Sequence, residues 1–86
     1  MKTENKYIKI REVPHLGKTK GFEVVNKSGG YILADISWYS PWRQYCIEFF
    51  DKMVFNSQCL ELITEFLKDI NIEHRKNWVQ KKEDID

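Results

Sequence analysis

The hydrophobic period of this chain changes once, at Phe55, and that change constrains the fold more than any other feature. Before it, apolar residues recur at every second position, the repeat of a half-buried strand. After it they recur about every 3.6 positions, the repeat of a helix lying on a core. Residues 7–13 alternate, with Ile8 and Ile10 on one face, and stop at Pro14. A Gly/Lys loop follows. Residues 22–25 read as a second strand, and Asn26, Lys27, Ser28, Gly29 and Gly30 tolerate the backbone of a hairpin turn. In the third strand Ile32, Ala34, Ile36 and Trp38 share one face, and Tyr31, Leu33, Asp35, Ser37 and Tyr39 the other. Ser40-Pro41 breaks it. Residues 43–50 form a fourth strand with Tyr45, Ile47 and Phe49 together, and Asp51-Lys52 turns into a short fifth at 53–55.

Beyond that point Asn56 and Ser57 are both good N-caps. Cys59, Leu60, Ile63, Phe66, Leu67 and Ile70 make an apolar stripe, while Glu61, Glu65, Lys68 and Asp69 turn outward. The pattern weakens near Asn71. Either the helix continues through His74 and Trp78, or a second short helix begins there. The expected fold is α+β: a four- to five-stranded antiparallel sheet packed by one C-terminal amphipathic helix. Without repeats or linkers, residues 1–86 read as a single domain, with 1–6 and 81–86 frayed.

An 86-residue chain buries a small core, of the size that gains from a partner or a second copy. No apolar run nears the roughly 20 residues of a membrane span. Met1 to Lys6 lacks the apolar core of a signal peptide, and a cytoplasmic location with no membrane partner is expected. Cys46 and Cys59 fall on elements of different type and read as reduced thiols, not as a disulfide framework. The net charge of +1 conceals an asymmetry. Residues 1–20 hold six Lys/Arg against two acids, whereas residues 21–73 hold four against eight.

Chemistry-bearing constellations are few. The two Cys and two His lack zinc-ligand spacing, so no metal is expected. No nucleophile has an orienting base, Gly29-Gly30 lacks the strand–loop–helix setting of a phosphate loop, and neither catalysis nor a cofactor is expected. His74 and Arg75 read as partners of a helix C-terminus. What remains is aromatic. Trp, Tyr and Phe make up 14% of the chain, more than a small core absorbs, and Tyr39, Trp42 and Trp78 are the surplus. Trp and Tyr beside an Arg have the composition of interface hot spots, so Tyr39, Trp42, Arg43 and Trp78 are the expected partner-binding residues. Such aromatics also stack on single-stranded bases, with Lys9, Arg11, Lys18 and Lys20 as the phosphate contacts of that alternative.

The segment Trp38-Tyr39-Ser40-Pro41-Trp42-Arg43-Gln44-Tyr45-Cys46-Ile47 resembles the W-Y-x-P-W-R-Q-Y-C-F segment of a family of short bacterial and phage proteins. A short turn and an amphipathic helix follow in both, and the resemblance covers roughly residues 19–71. Ile47 stands at the family's aromatic position, and the turn at 50–52 is shorter. The resemblance implies a phage or mobile-element protein and assigns no catalytic residue. Element order alone is also similar to a transcriptional-coactivator fold whose dimers bind single-stranded DNA on the sheet, an analogy of little functional weight.

The function expected from these residues is a small non-enzymatic binding module of phage or mobile-element type. It works as an inhibitor or adaptor on a protein partner. The alternative is a single-stranded nucleic-acid-binding protein. A homodimer, with the C-terminal segment docked on a second copy, is the third expectation.

Overall fold

A computed structural model describes the backbone of residues 1–15 and 17–85, and the side chains as far as Asn77 except Leu16. Four strands form one antiparallel meander in the order β1-β2-β3-β4: Ile8–Val13, Gly21–Asn26, Ile32–Tyr39 and Gln44–Phe49. A 3-10 turn, Ser40–Trp42, joins the last two, and one helix, α1, runs from Ser57 to Ile85. The expected α+β class holds, with four strands.

The β2–β3 hairpin closes through Asn26, whose N–H donates to the Tyr31 carbonyl (2.8 Å) and whose carbonyl accepts from Gly30 N–H (3.0 Å). Gly29 and Gly30 adopt φ of 93° and 76°, and a Cβ on Gly29 would stand 2.8 Å from the Tyr31 ring. Only glycine suits that corner. Asn56 caps α1, its Oδ1 accepting from Cys59 N–H at 2.9 Å.

Strand alternation and the helix stripe meet in one core. Ile8, Ile10, Phe22, Val24, Ala34, Ile36 and Tyr45 pack against Cys59, Leu62, Ile63, Phe66 and Ile70. Phe66 sits edge-on to Phe22 with centroids 5.0 Å apart.

Several expectations are corrected. Residues 53–55 form no strand. A strand needs a ladder partner, and this segment instead carries the chain from β4 to α1, setting Phe55 edge-on to Phe49 at 4.9 Å. Phe49, expected in the core, is 46% exposed near the end of an edge strand. Leu33 is buried although its phase points outward. The register slips between Val24 and Val25, leaving Leu33 as the extra residue of a bulge and bringing it in beside Ala34. On α1, Leu60 is exposed and Leu62 takes its place in the core. The helix passes Asn71 without a break, so His74 and Arg75 are interior positions and not dipole partners at a terminus.

At about 1.5 Å per residue α1 extends some 44 Å, about twice the length of a six-residue strand. The helix overhangs the sheet. None of its described residues forms a segment long and apolar enough to cross a membrane.

Both sheet edges carry hydrogen-bond partners from outside the ladder. Along β1, Ile10 N–H donates to the Thr3 carbonyl (2.7 Å), and Asn5 N–H to the Ile8 carbonyl (3.0 Å). Asn5 also donates through Nδ2 to the Gln58 carbonyl in the first turn of α1. Lys27 holds Glu4 at 2.8 Å, and that hydrogen bond keeps the Glu4 carboxyl below its ordinary pKa. Along β4 the partner is a single side chain. Asn71 Oδ1 accepts from Tyr45 N–H at 2.6 Å, and Asn71 Nδ2 donates to the Tyr45 carbonyl at 3.2 Å. One amide of the helix thus acts as a missing fifth-strand residue.

Candidate binding surface

The surface begins at the Ser40-Pro41 break. Proline at the start of the 3-10 turn fixes φ, and Arg43 N–H closes the turn on the carbonyls of Tyr39 (2.9 Å) and Ser40 (3.1 Å). Arg43 itself is left-handed, with φ 54° and ψ 48°, a conformation that costs a non-glycine residue about 1–2 kcal/mol. The turn presents Trp42, which is 67% exposed, with Tyr39 edge-on at 5.2 Å. Tyr39, Trp42 and Arg43 therefore stand together, as expected. The side chain of Trp78 lies outside the described residues.

Behind this turn lies a cleft of about 240 Å³ between the start of β4 and the middle of α1. Trp38, Trp42, Arg43 and Gln44 line it from the sheet side, and Asn71, His74 and Arg75 from the helix. Its floor is rigid. The His74 ring lies 4.4 Å from Trp38, and Tyr45 stands edge-on to both, at 5.4 Å from Trp38 and 5.7 Å from His74. The Tyr45 hydroxyl accepts from Lys20 N–H at 2.9 Å. Neither Arg43 nor Arg75 is held in an ion pair among the described residues.

Sequence reasoning did not assign Trp38, Gln44, Asn71, His74 or Arg75 to a site. A signal was present. Ile63, Phe66, Ile70 and His74 continue one helical stripe, with Asn71 and Arg75 one position further round.

The four basic candidates do not gather here. Lys9 and Arg11 lie on the open face of β1, two strands from β3, and Arg11 is paired with Glu23 at 3.1 Å. Lys20 is near the core end of the cleft but faces Glu73 at 3.9 Å. Lys18 is exposed in the loop before β2. Between β1 and the aromatic turn the open face is acidic, because the register aligns Arg11, Glu23, Asp35 and Glu48 across the four strands. Partial burial, then Glu23 and Glu48, raise the Asp35 carboxyl above its ordinary pKa. A carboxyl raised on folding favours the native state while protonated and loses that contribution as pH climbs through the folded value. Asp35→Asn is accordingly expected to raise Tm at about pH 7 and to lose that gain near pH 3, as read by thermal melts at the two pH values.

The two thiols and two imidazoles are dispersed. Cys59 is buried in the core, Cys46 is half-buried on β4, His15 packs at Gly21, and His74 stacks on Trp38. Among the described residues no three His, Cys, Asp or Glu side chains are grouped to hold a metal ion.

The chain is 34% identical over 71 residues to a protein of Acholeplasma phage L2 named "Uncharacterized 9.3 kDa protein". That match takes in 81% of this chain and 90% of the phage protein. The chain belongs to this family of short phage proteins. No family model matches it, and no solved structure does. Membership in the phage family agrees with the resemblance drawn from the Trp38–Ile47 segment at the level of a small phage-type protein.

Proposed function

We propose that this phage-family protein is a non-enzymatic protein-interaction module, an inhibitor or adaptor that engages its partner through Tyr39, Trp42 and Arg43. The observation that carries this reading is the exposed Trp42 on a turn fixed by Pro41 and by two hydrogen bonds to Arg43 N–H. A rigid aromatic anchor loses little conformational entropy on binding, and Trp, Tyr and Arg supply most hot-spot energy at interfaces. The cytoplasm of a host cell is the proposed site of action.

The second reading is a single-stranded nucleic-acid binder, favoured by the proximity of Trp42 to two arginines. The acidic row Glu23–Asp35–Glu48 counts against it, since it lies across the open sheet face that a polyanion would have to cross.

Trp42→Ala tests the first reading. An exposed substitution changes stability by about 0.5 kcal/mol or less, whereas loss of a hot-spot Trp weakens binding by roughly thirtyfold or more. Capture from host lysate with immobilised wild-type protein, with and without nuclease, should retain a protein that the folded Trp42→Ala variant releases. Equal capture by both proteins overturns the assigned surface, and capture abolished by nuclease favours the second reading.

A further inference from the structure

The cleft behind the aromatic turn has a chemical character that the exposed aromatics alone do not specify. Arg43 lines it from the turn and Arg75 from the helix, and among the described residues no carboxylate does. Two arginines line one small space without an ion-pair partner among the described residues. Guanidinium is a planar fork that matches a carboxylate with two parallel hydrogen bonds. Trp42, Trp38 and His74 line the same space, the last two with ring centroids 4.4 Å apart and planes tilted by 37°. Asn71 contributes no recognition group, because both ends of its amide are engaged by Tyr45.

We propose that the cleft seats carboxylate side chains from an acidic, extended segment of the protein partner, clamped between Arg43 and Arg75. The proposal rests on the reading of this protein as a protein-interaction module and names the chemistry of its partner. Size supports it: about 240 Å³ accepts one or two side chains and lies below the usual range of small-molecule sites, about 300–1,000 Å³. Charge supports a short acidic segment over a nucleic-acid strand. Beyond the cleft, Lys20 is occupied by Glu73 and Arg11 by Glu23. Among the described residues these two cations are therefore not free to extend the arginine pair into a track for a phosphate backbone.

The backbone at Arg43 offers a separation of folding from binding. Glycine takes φ 54° without strain, so Arg43→Gly retains or raises Tm while removing one guanidinium. Arg75→Gln removes the other from a helix position that tolerates glutamine. A fluorescein-labelled hexaglutamate peptide, a hexalysine peptide and a ten-residue oligothymidylate serve as probes in anisotropy titrations at low salt. The expected result is saturable binding of hexaglutamate alone, weakened about tenfold or more by either substitution. Absence of hexaglutamate binding, or binding indifferent to both substitutions, overturns the proposal. Oligothymidylate bound in place of the peptide through the same arginines also overturns it. Lysate capture separates this failure from failure of the underlying reading. A partner lost by Trp42→Ala and by Arg43→Gly but kept by Arg75→Gln leaves the interaction module intact and rejects the carboxylate clamp.

Discussion

Phe66→Ala is expected to cost about 3–5 kcal/mol, a large part of the roughly 4–13 kcal/mol that stabilises a chain of this length. Phe66 is buried where helix meets sheet, edge-on to Phe22, and Phe22 in turn is edge-on to Tyr45 at 6.3 Å. These three rings join α1, β2 and β4, so the cavity left by alanine opens at the junction of all three. Few neighbours can collapse into it, since β2 and β4 are held in register by β3 between them. Urea unfolding followed by far-UV circular dichroism measures the loss as a lower midpoint. Phe66→Leu should recover more than half of it by restoring apolar volume. A midpoint for Phe66→Ala within experimental error of wild type would show that the helix does not depend on this contact.

Asn71→Ala is expected to be the largest polar effect, about 2–3 kcal/mol, or a fall of roughly 8–24 °C in Tm. Alanine leaves the Tyr45 N–H and carbonyl without partners at a part-buried position. Orphaned backbone groups cost more than the net value of the hydrogen bonds that satisfied them. Asn71→Asp is the informative companion. It keeps an acceptor for Tyr45 N–H but sets a second carboxylate oxygen against the Tyr45 carbonyl, and should recover little at neutral pH. Differential scanning calorimetry reads both variants. An unchanged Tm for Asn71→Ala would mean that the β4 edge is satisfied by solvent as well as by the helix. Since Asn71 also fixes the start of β4 beside the cleft, its loss should weaken partner capture along with stability.

The sheet was legible because period-two alternation needs no tertiary information. Ile8 and Ile10 lie on the core face, and Phe22, Val24, Ala34 and Ile36 share it, as the pattern of each strand requires. Legibility failed where geometry departed from a perfect pleat. One bulge residue inverted the environment of Leu33, and no composition cue marks it. Leu60 and Leu62 lie on opposite flanks of the stripe through Cys59, Ile63, Phe66 and Ile70, and a stripe at 3.6 residues per turn is broad enough to admit either. Residues 53–55 had strand composition but no edge to join, which depends on where the helix goes next.

The candidate site was legible in its turn and hidden in its cleft. Tyr39, Trp42 and Arg43 are adjacent in sequence, so Ser40-Pro41 alone was enough to place them together. Arg75 is 32 positions from Arg43, and only the packing of α1 against β4 brings them to one space. Read locally, Asn71, His74 and Arg75 were the residues of a weakening helix end. In the folded chain the same residues tie an edge strand, stack on Trp38 and supply a second guanidinium.

By itself the sequence determined the succession of strands and helix, the hairpin at Gly29-Gly30 and the exposed aromatic turn. Each rests on a repeat or a backbone restriction within a few residues. The acidic row across the open face, the Asn71 clasp on Tyr45 and the Arg43–Arg75 cleft were decided only by tertiary structure. They depend on strand register and on the line the helix takes over the sheet. Register and helix placement are set by packing between residues distant in the chain, which no local pattern encodes.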